Sequence, residues 1–406
     1  MPEFAEKQKA LDFAEARKIV IKTVRGLASP PGKETLSLDR VHGRILAEPV
    51  LADRHYPALR RSLRDGFAVR SGDLPGVLRV RGEVRAGQFE QPPLTPGEAL
   101  EIMTGAPVPN GADAVVMIEH VTRLSSEQVR IDRTADPDQF IIERGDEAVM
   151  GAVLIAEGTR LDASHVGVLA MIGHTSVTVS APPSVAILAT GDEIVSASEM
   201  PAPHQIRNSN SHMLAALVNA SGGHATILPV ARDTKDDLRP LLEQGLAHDM
   251  LLVSGGVSAG RYDLVKPTLR ELDVEFHFER VRVQPGQPTA FGTFGHKPVF
   301  GLPGNPGSSL ITYQLFARPA LEILAGLAEP ILPLLSARFE VPFRHKPGLT
   351  RFLPARLCTD GNHLRHIAWH GSSDLPALAR ANAFLVADHD REVWDVGDEI
   401  RVMLKP

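Results

Sequence analysis

The stretch Leu251-Leu252-Val253-Ser254-Gly255-Gly256-Val257-Ser258-Ala259-Gly260, continuing as Arg261-Tyr262-Asp263-Leu264-Val265-Lys266, decides the fold of this chain. Its apolar start after Asp249 and Met250 reads as a strand covered on both faces, because a strand with one wet face would alternate polar and apolar residues. The two glycines permit backbone angles and close approaches that other residues cannot adopt, so the strand runs into a loop able to wrap an anion in backbone N–H groups. A helix is predicted over 263–271. It would turn the positive end of its dipole to the loop and set Asp263 and Lys266 on its first turn, so that phosphate, cation and carboxylate could meet there. A lone Ser-Gly-Gly after a strand is also an ordinary strand-to-helix turn. Three further stretches built to the same plan favour the functional reading.

Those stretches lie between residue 184 and about residue 325, where strands alternate with helices and imply a mainly parallel sheet with helices on both faces. Strands near 185–189, 225–230, 250–253 and 298–301 end in Thr190-Gly191-Asp192-Glu193, Arg232-Asp233, Ser254-Gly255-Gly256 and Leu302-Pro303-Gly304-Asn305-Pro306. In an open parallel sheet the ligand crevice lies at the carboxyl ends of the strands, so these four phrases are expected to gather in one place.

Outward from this core, residues 11–24 carry Leu11, Phe13, Ala14, Ile19, Val20 and Val24 at helical spacing, and Ser29-Pro30-Pro31-Gly32 ends that helix. Residues 34–50 turn short and extended. Residues 57–147 read as short strands broken by Gly, Pro and Asn, with Pro109-Asn110-Gly111 as a turn before an apolar run. A helix is expected over 162–172, closed by Gly173, and Pro182-Pro183 marks a boundary. The last segment alternates like strands and suggests a small barrel or sandwich. The domains read as 1–56 with 148–182 (N-terminal linking), 57–147 (β-rich), 183–328 (α/β, three-layer and nucleotide-type) and 329–406 (C-terminal β-barrel), a multidomain α/β plus β chain.

Composition narrows the function. The 406 residues are enough for several cores, and a formal net charge of −6 argues against general nucleic-acid binding, which needs a basic surface. No apolar run approaches a membrane span, and the N-terminus lacks the basic-then-apolar layout of a signal peptide, so a cytoplasmic protein is expected. The single cysteine, Cys358, excludes intramolecular disulfides and reads as a buried structural thiol beside Leu357.

Five phrases in order, DGFAVR at Asp65, IMTGAPVPNGADAVV at Ile102, TGDE at Thr190, SGGVSAG at Ser254 and GLPGNPGSS at Gly301, resemble the molybdopterin molybdenumtransferase family, that is MoeA and the E domain of gephyrin. The resemblance runs from about Leu36 to Ala320. It implies an elongated homodimer of four-domain chains that hydrolyses adenylylated molybdopterin, releases AMP and inserts molybdate into the dithiolene. Carried over, Ser254, Gly255, Gly256 and Ser258 with Gly304, Asn305 and Ser308 would cradle phosphate. Glu193, Asp233 and Asp263 would hold Mg²⁺; Asp233 and Asp263 also suit the cap of a following helix, but their place among the four gathered phrases favours the site. The catalytic set also takes in Asp65, Thr104 and Lys266, and the substrate-binding set Arg282, Gln284 and Gln287. In the family the Asp65 domain faces the α/β domain of the other subunit, and a molybdopterin adenylyltransferase is the expected upstream partner.

The chain departs from the family where a phrase of the form KPGKP is usual and Gln284-Pro285-Gly286-Gln287-Pro288 stands instead, without the two cations. Arg61-Ser62-Leu63-Arg64 and Glu143-Arg144-Gly145-Asp146-Glu147 depart as well, and Arg60, Arg61 and Arg64 offer charge that could replace the lysines from across a dimer. The alternative to an enzyme is a diverged, non-catalytic paralogue that binds molybdopterin or a related nucleotide as carrier, sensor or scaffold.

Overall fold

Alternate residues of two adjacent interior strands point to opposite cores, which makes the α/β region a three-layer sandwich. In the computed structural model, which describes residues 10–87, 93–257 and 263–405, six strands form its sheet. Numbered in chain order they are β1 (Ser184–Ala189), β2 (His224–Ile227), β3 (Met250–Ser254), β4 (Glu275–Phe278), β5 (Ala290–Phe294) and β6 (Lys297–Leu302). The spatial order is β2-β1-β3-β6-β5-β4, with the first four parallel and β5 and β4 antiparallel at one side.

Val185, Ile187, Met250 and Leu252 face a core shared with the helices Phe13–Leu27 and Asn210–Ala220. Ala186, Leu188, Leu251 and Val253 face a second core closed by the helices Lys235–Leu246 and Val265–Glu271. Both faces of β3 are therefore dry, which is why its sequence is a continuous apolar run. The first core continues into the barrel through Phe352, Phe384 and Met403.

Several expectations are corrected in detail. The N-terminal helix packs on the α/β sheet through Ala16, Val20 and Val24 rather than with the segments that follow it. The helix after β3 begins at Val265, not Asp263, because Leu264 takes the cap position and leaves Asp263 in the preceding loop. Strands β4 and β5 escaped the sequence reading. Cys358 is half-buried rather than buried, at the end of a barrel strand.

The C-terminal segment closes into a five-stranded barrel of Leu334–Phe339, Thr350–Leu357, His363–His366, Ala383–Ala387 and Glu399–Leu404, with the pairing of Thr350–Leu357 to Ala383–Ala387 completing the ring. Val283–Gln284 adds to it in parallel, with Gln284 opposite Arg351.

The chain divides into two compact units, one of residues 1–48, 157–163 and 176–406, the other of 49–156 and 164–175. The second is built on a six-stranded sheet in which Gly66–Val69 and Glu98–Ile102 are neighbours, with Ala68, Leu100 and Ile102 buried on one face and Phe67, Val69 and Ala99 on the other. Among the described residues no helix is long and apolar enough to cross a membrane.

Candidate functional site

Three parallel strands end at one level. Ala189, Ser254 and Leu302 are register partners, and the chain stays tied just beyond them. The N–H of Gly255 donates to Leu302 O (3.0 Å), that of Thr190 to Ser254 O (3.1 Å), and that of Gly191 to Ala231 O (3.1 Å). The four strand-end phrases thereby meet around a cleft of about 640 Å³. Its lining includes Thr190, Gly191, Glu193, Asp233, Ser254, Gly255, Gly256, Asp263, Gly304 and Asn305.

The glycines are demanded by space. A Cβ on Gly255, at φ +96°, would lie 2.6 Å from the carbonyl oxygen of Thr190, and one on Gly256, at φ +61°, 2.5 Å from Val265 Cγ2. The loop thus lies directly on the end of β1, with the buried Thr190 hydroxyl beneath it and without a hydrogen-bond partner.

Acids line the same cleft. Burial pushes the Asp263 carboxyl up to about 6, against the pull of Lys266 and of the nearby N–H groups of Val265 and Lys266. Neither of its buried oxygens reaches a donor in full hydrogen-bond geometry. Burial also raises Asp233, helped by the neighbouring charges of Asp192 and Glu193, while its own N–H donates to Asp192 Oδ1 (3.2 Å). Asp233 caps no helix here. Thr234 caps the helix Lys235–Leu246 by accepting from the N–H of Asp237. Among the described residues no three carboxylate, imidazole or thiol groups converge enough to hold a metal by themselves. The unpartnered carboxylate of Asp263 still suits a cation that brings further ligands with it.

Other candidates lie elsewhere. Lys266 pairs with Glu279 (3.4 Å). Arg282 reaches Gly348 O (3.1 Å) and Asp12 (3.5 Å). Gln284 is exposed on the strand added to the barrel, and the carbonyl of Gln287 accepts from Val281 N (3.0 Å). Ser308 is buried in the helix Pro306–Thr312. None of these five is among the described residues lining the cleft. Ser258 lies outside the described residues.

In the second unit, Asp65 accepts from the N–H (2.6 Å) and hydroxyl (2.8 Å) of Thr104, which hold its exposed carboxyl below the usual range. Arg60 is engaged by Glu143 (2.6 Å) and Asp138 (3.1 Å), and Arg61 by Glu147 (3.4 Å), whereas Arg64 stacks over Phe140.

The cleft also holds residues that sequence reasoning passed over. Asn208 and Asn210 enter from the start of the helix Asn210–Ala220, and Ser373 and Leu375 from the barrel. Asn305 donates to Ser372 Oγ (2.9 Å), fastening the glycine loop to that segment. The polar run Arg207-Asn208-Ser209-Asn210-Ser211 before a periodic helix was the available signal for the first pair.

Fold and cleft together define a multidomain protein whose three-layer α/β domain carries an acidic, glycine-lined site at the carboxyl ends of its parallel strands. Residues 11–173 match the family described as MoeA N-terminal region (domain I and II), 186–323 the probable molybdopterin binding domain, and 336–405 the MoeA C-terminal region (domain IV). A molybdopterin molybdenumtransferase of a Nostoc species is 34% identical, over 96% of this chain and 92% of that protein, and one of Staphylococcus aureus is 30% identical, over 91% and 90%. The crystal structure of a molybdopterin biosynthesis MoeA protein from Pyrococcus horikoshii OT3 superposes with a TM-score of 0.79 at 27% identity, covering 98% of this chain and all of that one. The chain belongs to the MoeA family of molybdopterin molybdenumtransferases.

Proposed function

We propose that the protein is a molybdopterin molybdenumtransferase of molybdenum cofactor biosynthesis: it hydrolyses adenylylated molybdopterin, releases AMP and inserts molybdate. The observation that carries this reading is the meeting, in one cleft, of two glycine-rich loops with the acids Glu193, Asp233 and Asp263. Loops of this kind bind phosphate oxygens through backbone N–H groups. The acids cannot, since an ionised carboxylate only accepts.

The acids therefore meet a cation or a proton-bearing group. Mg²⁺, when bound, would offset the charge of the phosphoanhydride, and Asp263, Asp233 and Glu193 are the residues that would hold it, with substrate oxygens and water completing its shell. The loops fix the phosphates, and Asn305 and Ser373 complete the lining of the cleft beside them. Water adds at phosphorus, the phosphoanhydride oxygen leaves with the pterin phosphate, and AMP departs. A carboxyl poised at about 6 can hold or yield a proton at Asp263 near neutral pH.

Asp263→Ala and Asp233→Ala are expected to lower AMP release by about 100-fold while weakening pterin binding far less, because charge stabilisation matters most in the transition state. Equal losses in both measurements would assign these acids a structural role.

With this function go a homodimer in which the Asp65–Thr104 pair of one protomer serves the α/β domain of its partner, the four-domain division set out above, a cytoplasmic setting, and delivery of substrate by a molybdopterin adenylyltransferase. The second reading is a non-catalytic binder, which predicts uptake of adenylylated molybdopterin without AMP release; the neutral Gln284 and Gln287 do not decide for it, since neither is among the described residues lining the cleft.

A further inference from the structure

Asn210 is 8% exposed and lines the cleft, yet it contributes nothing to the apolar cores. Its amide nitrogen donates twice, to Ser254 Oγ (2.9 Å) and to the carbonyl of Gly304 (2.6 Å). A carbonyl only accepts, so the bond to Gly304 fixes which way the amide faces. Its oxygen is then left buried without a partner. An unsatisfied buried amide oxygen is costly, and an amide that served the fold alone could be expected to satisfy it.

We propose that Asn210 is a positioning residue for the reaction: its two N–H bonds set the separation of the Ser254 loop and the Gly304 loop, and its free oxygen accepts a hydrogen from an N–H or O–H of the bound substrate. Ser309 also touches both, donating to Pro303 O with its hydroxyl 3.5 Å from Ser254 Oγ, but its single hydrogen serves one bond, whereas the Asn210 amide donates to both loops at once. The helix that carries Asn210 is anchored beside it, since Asn208 accepts from the N–H of Ser211 (3.0 Å) and donates to that residue's hydroxyl (3.0 Å), both within a buried turn. Asn210, the clamp between the loops, is therefore held in place from its own helix. The inference deepens the proposed function for the same cleft and rests on it only for the identity of the ligand.

Two substitutions separate the roles. Asn210→Ala removes both N–H bonds and the acceptor. Asn210→Asp keeps an acceptor but has no N–H. The Ser254 hydroxyl can turn and donate to the new carboxylate, whereas the Gly304 carbonyl faces it with no hydrogen between them. Hydrogen exchange on the full chain tests this without any ligand. In the alanine form, amides of residues 253–257 and of Gly304, Asn305 and Gly307 should exchange at least about tenfold faster, with residues 383–387 of the barrel unchanged. In the aspartate form the acceleration should be confined to Gly304, Asn305 and Gly307. Unchanged exchange at both loops in the alanine form overturns the clamp, and so does equal acceleration everywhere, which would mark a residue that merely holds the fold. Titration with AMP then tests the link to ligand: a loss of affinity of about tenfold in the alanine form supports it, and unchanged affinity alongside loosened loops overturns it. A native protein with the clamp intact that takes up no AMP would instead refute the adenylylated substrate and leave the positioning of the loops standing.

Discussion

Asp263 carries the tension of the site in one side chain. The residue is half-buried, its two carboxyl oxygens are buried and unpartnered, and its carboxyl is pushed up to about 6 from the ordinary 3.8. A folded-state pKa raised above the unfolded one gives a stability contribution that is fully present below about pH 3.8 and lost as pH rises through about 6. In ligand-free protein with chelator present, Asp263→Asn should therefore be more stable than the native chain at pH 7.5, by about 1 kcal/mol once solvent screening is allowed for, and the advantage should vanish near pH 4. Thermal melts across that range check it. The position of Asp263 was legible because aspartate followed a strand and a glycine loop, and Glu193 and Asp233 were read in the same way. Direction was not legible. Lys266 lies in the next helix and Gln284 on a barrel strand, and which way a side chain points from a known element depends on packing that no local pattern states. Asn210 was missed for a similar reason, since its two partners are 44 and 94 residues away in the chain.

At the scale of elements, the loop after β3 is pressed against the end of β1 at Gly255 and Gly256. Gly255→Ala would drive a Cβ to 2.6 Å from the Thr190 carbonyl in a left-handed conformation, and a cost of about 3 kcal/mol is expected, with loss of ligand binding. Denaturant unfolding and AMP titration measure the two effects. Parallel strands β1, β3 and β6 could be read from their apolar runs because both their faces are covered. Strands β4 and β5 could not: Gly292 in β5 sits where a Cβ would strike Glu275 O at 2.7 Å, so close strand approach selects a residue that erases the strand signal. The barrel holds a separate titration. His345 is buried between the rings of Phe343 and Trp394, at 6.1 and 5.3 Å, with Nδ1 bonded to Lys346 O (2.8 Å). Burial, opposed by that bond and reinforced by the charge of Arg351, holds its pKa below the usual 6.5. A lowered histidine contributes stability present above its unfolded pKa and lost as pH falls through and below 6.5. Replacing it, as in His345→Phe, should flatten the fall in stability between pH 7.5 and 5, and an unchanged slope would remove His345 from the account.

Across the whole molecule, one α/β cleft is surrounded by elements from distant parts of the chain: the loops at the ends of β1, β3 and β6, the start of the helix Asn210–Ala220, and the segment before the last barrel strands. The architecture was legible because each domain keeps its own sequence period, continuous apolar runs in the parallel sheet and alternation in the β-rich parts. What was not legible is how the domains share cores. The helix Phe13–Leu27 and the barrel residue Phe352 meet edge to face at 5.6 Å, joining segments that read as separate domains. The assembly as an enzyme is tested most directly by supplying the purified full chain with adenylylated molybdopterin, Mg²⁺ and molybdate and following AMP by chromatography. The account predicts AMP release that depends on molybdopterin being adenylylated and falls about 100-fold in Asp263→Ala. Binding of adenylylated molybdopterin by the native chain with no AMP formed over many hours would contradict it and leave a binding protein in its place.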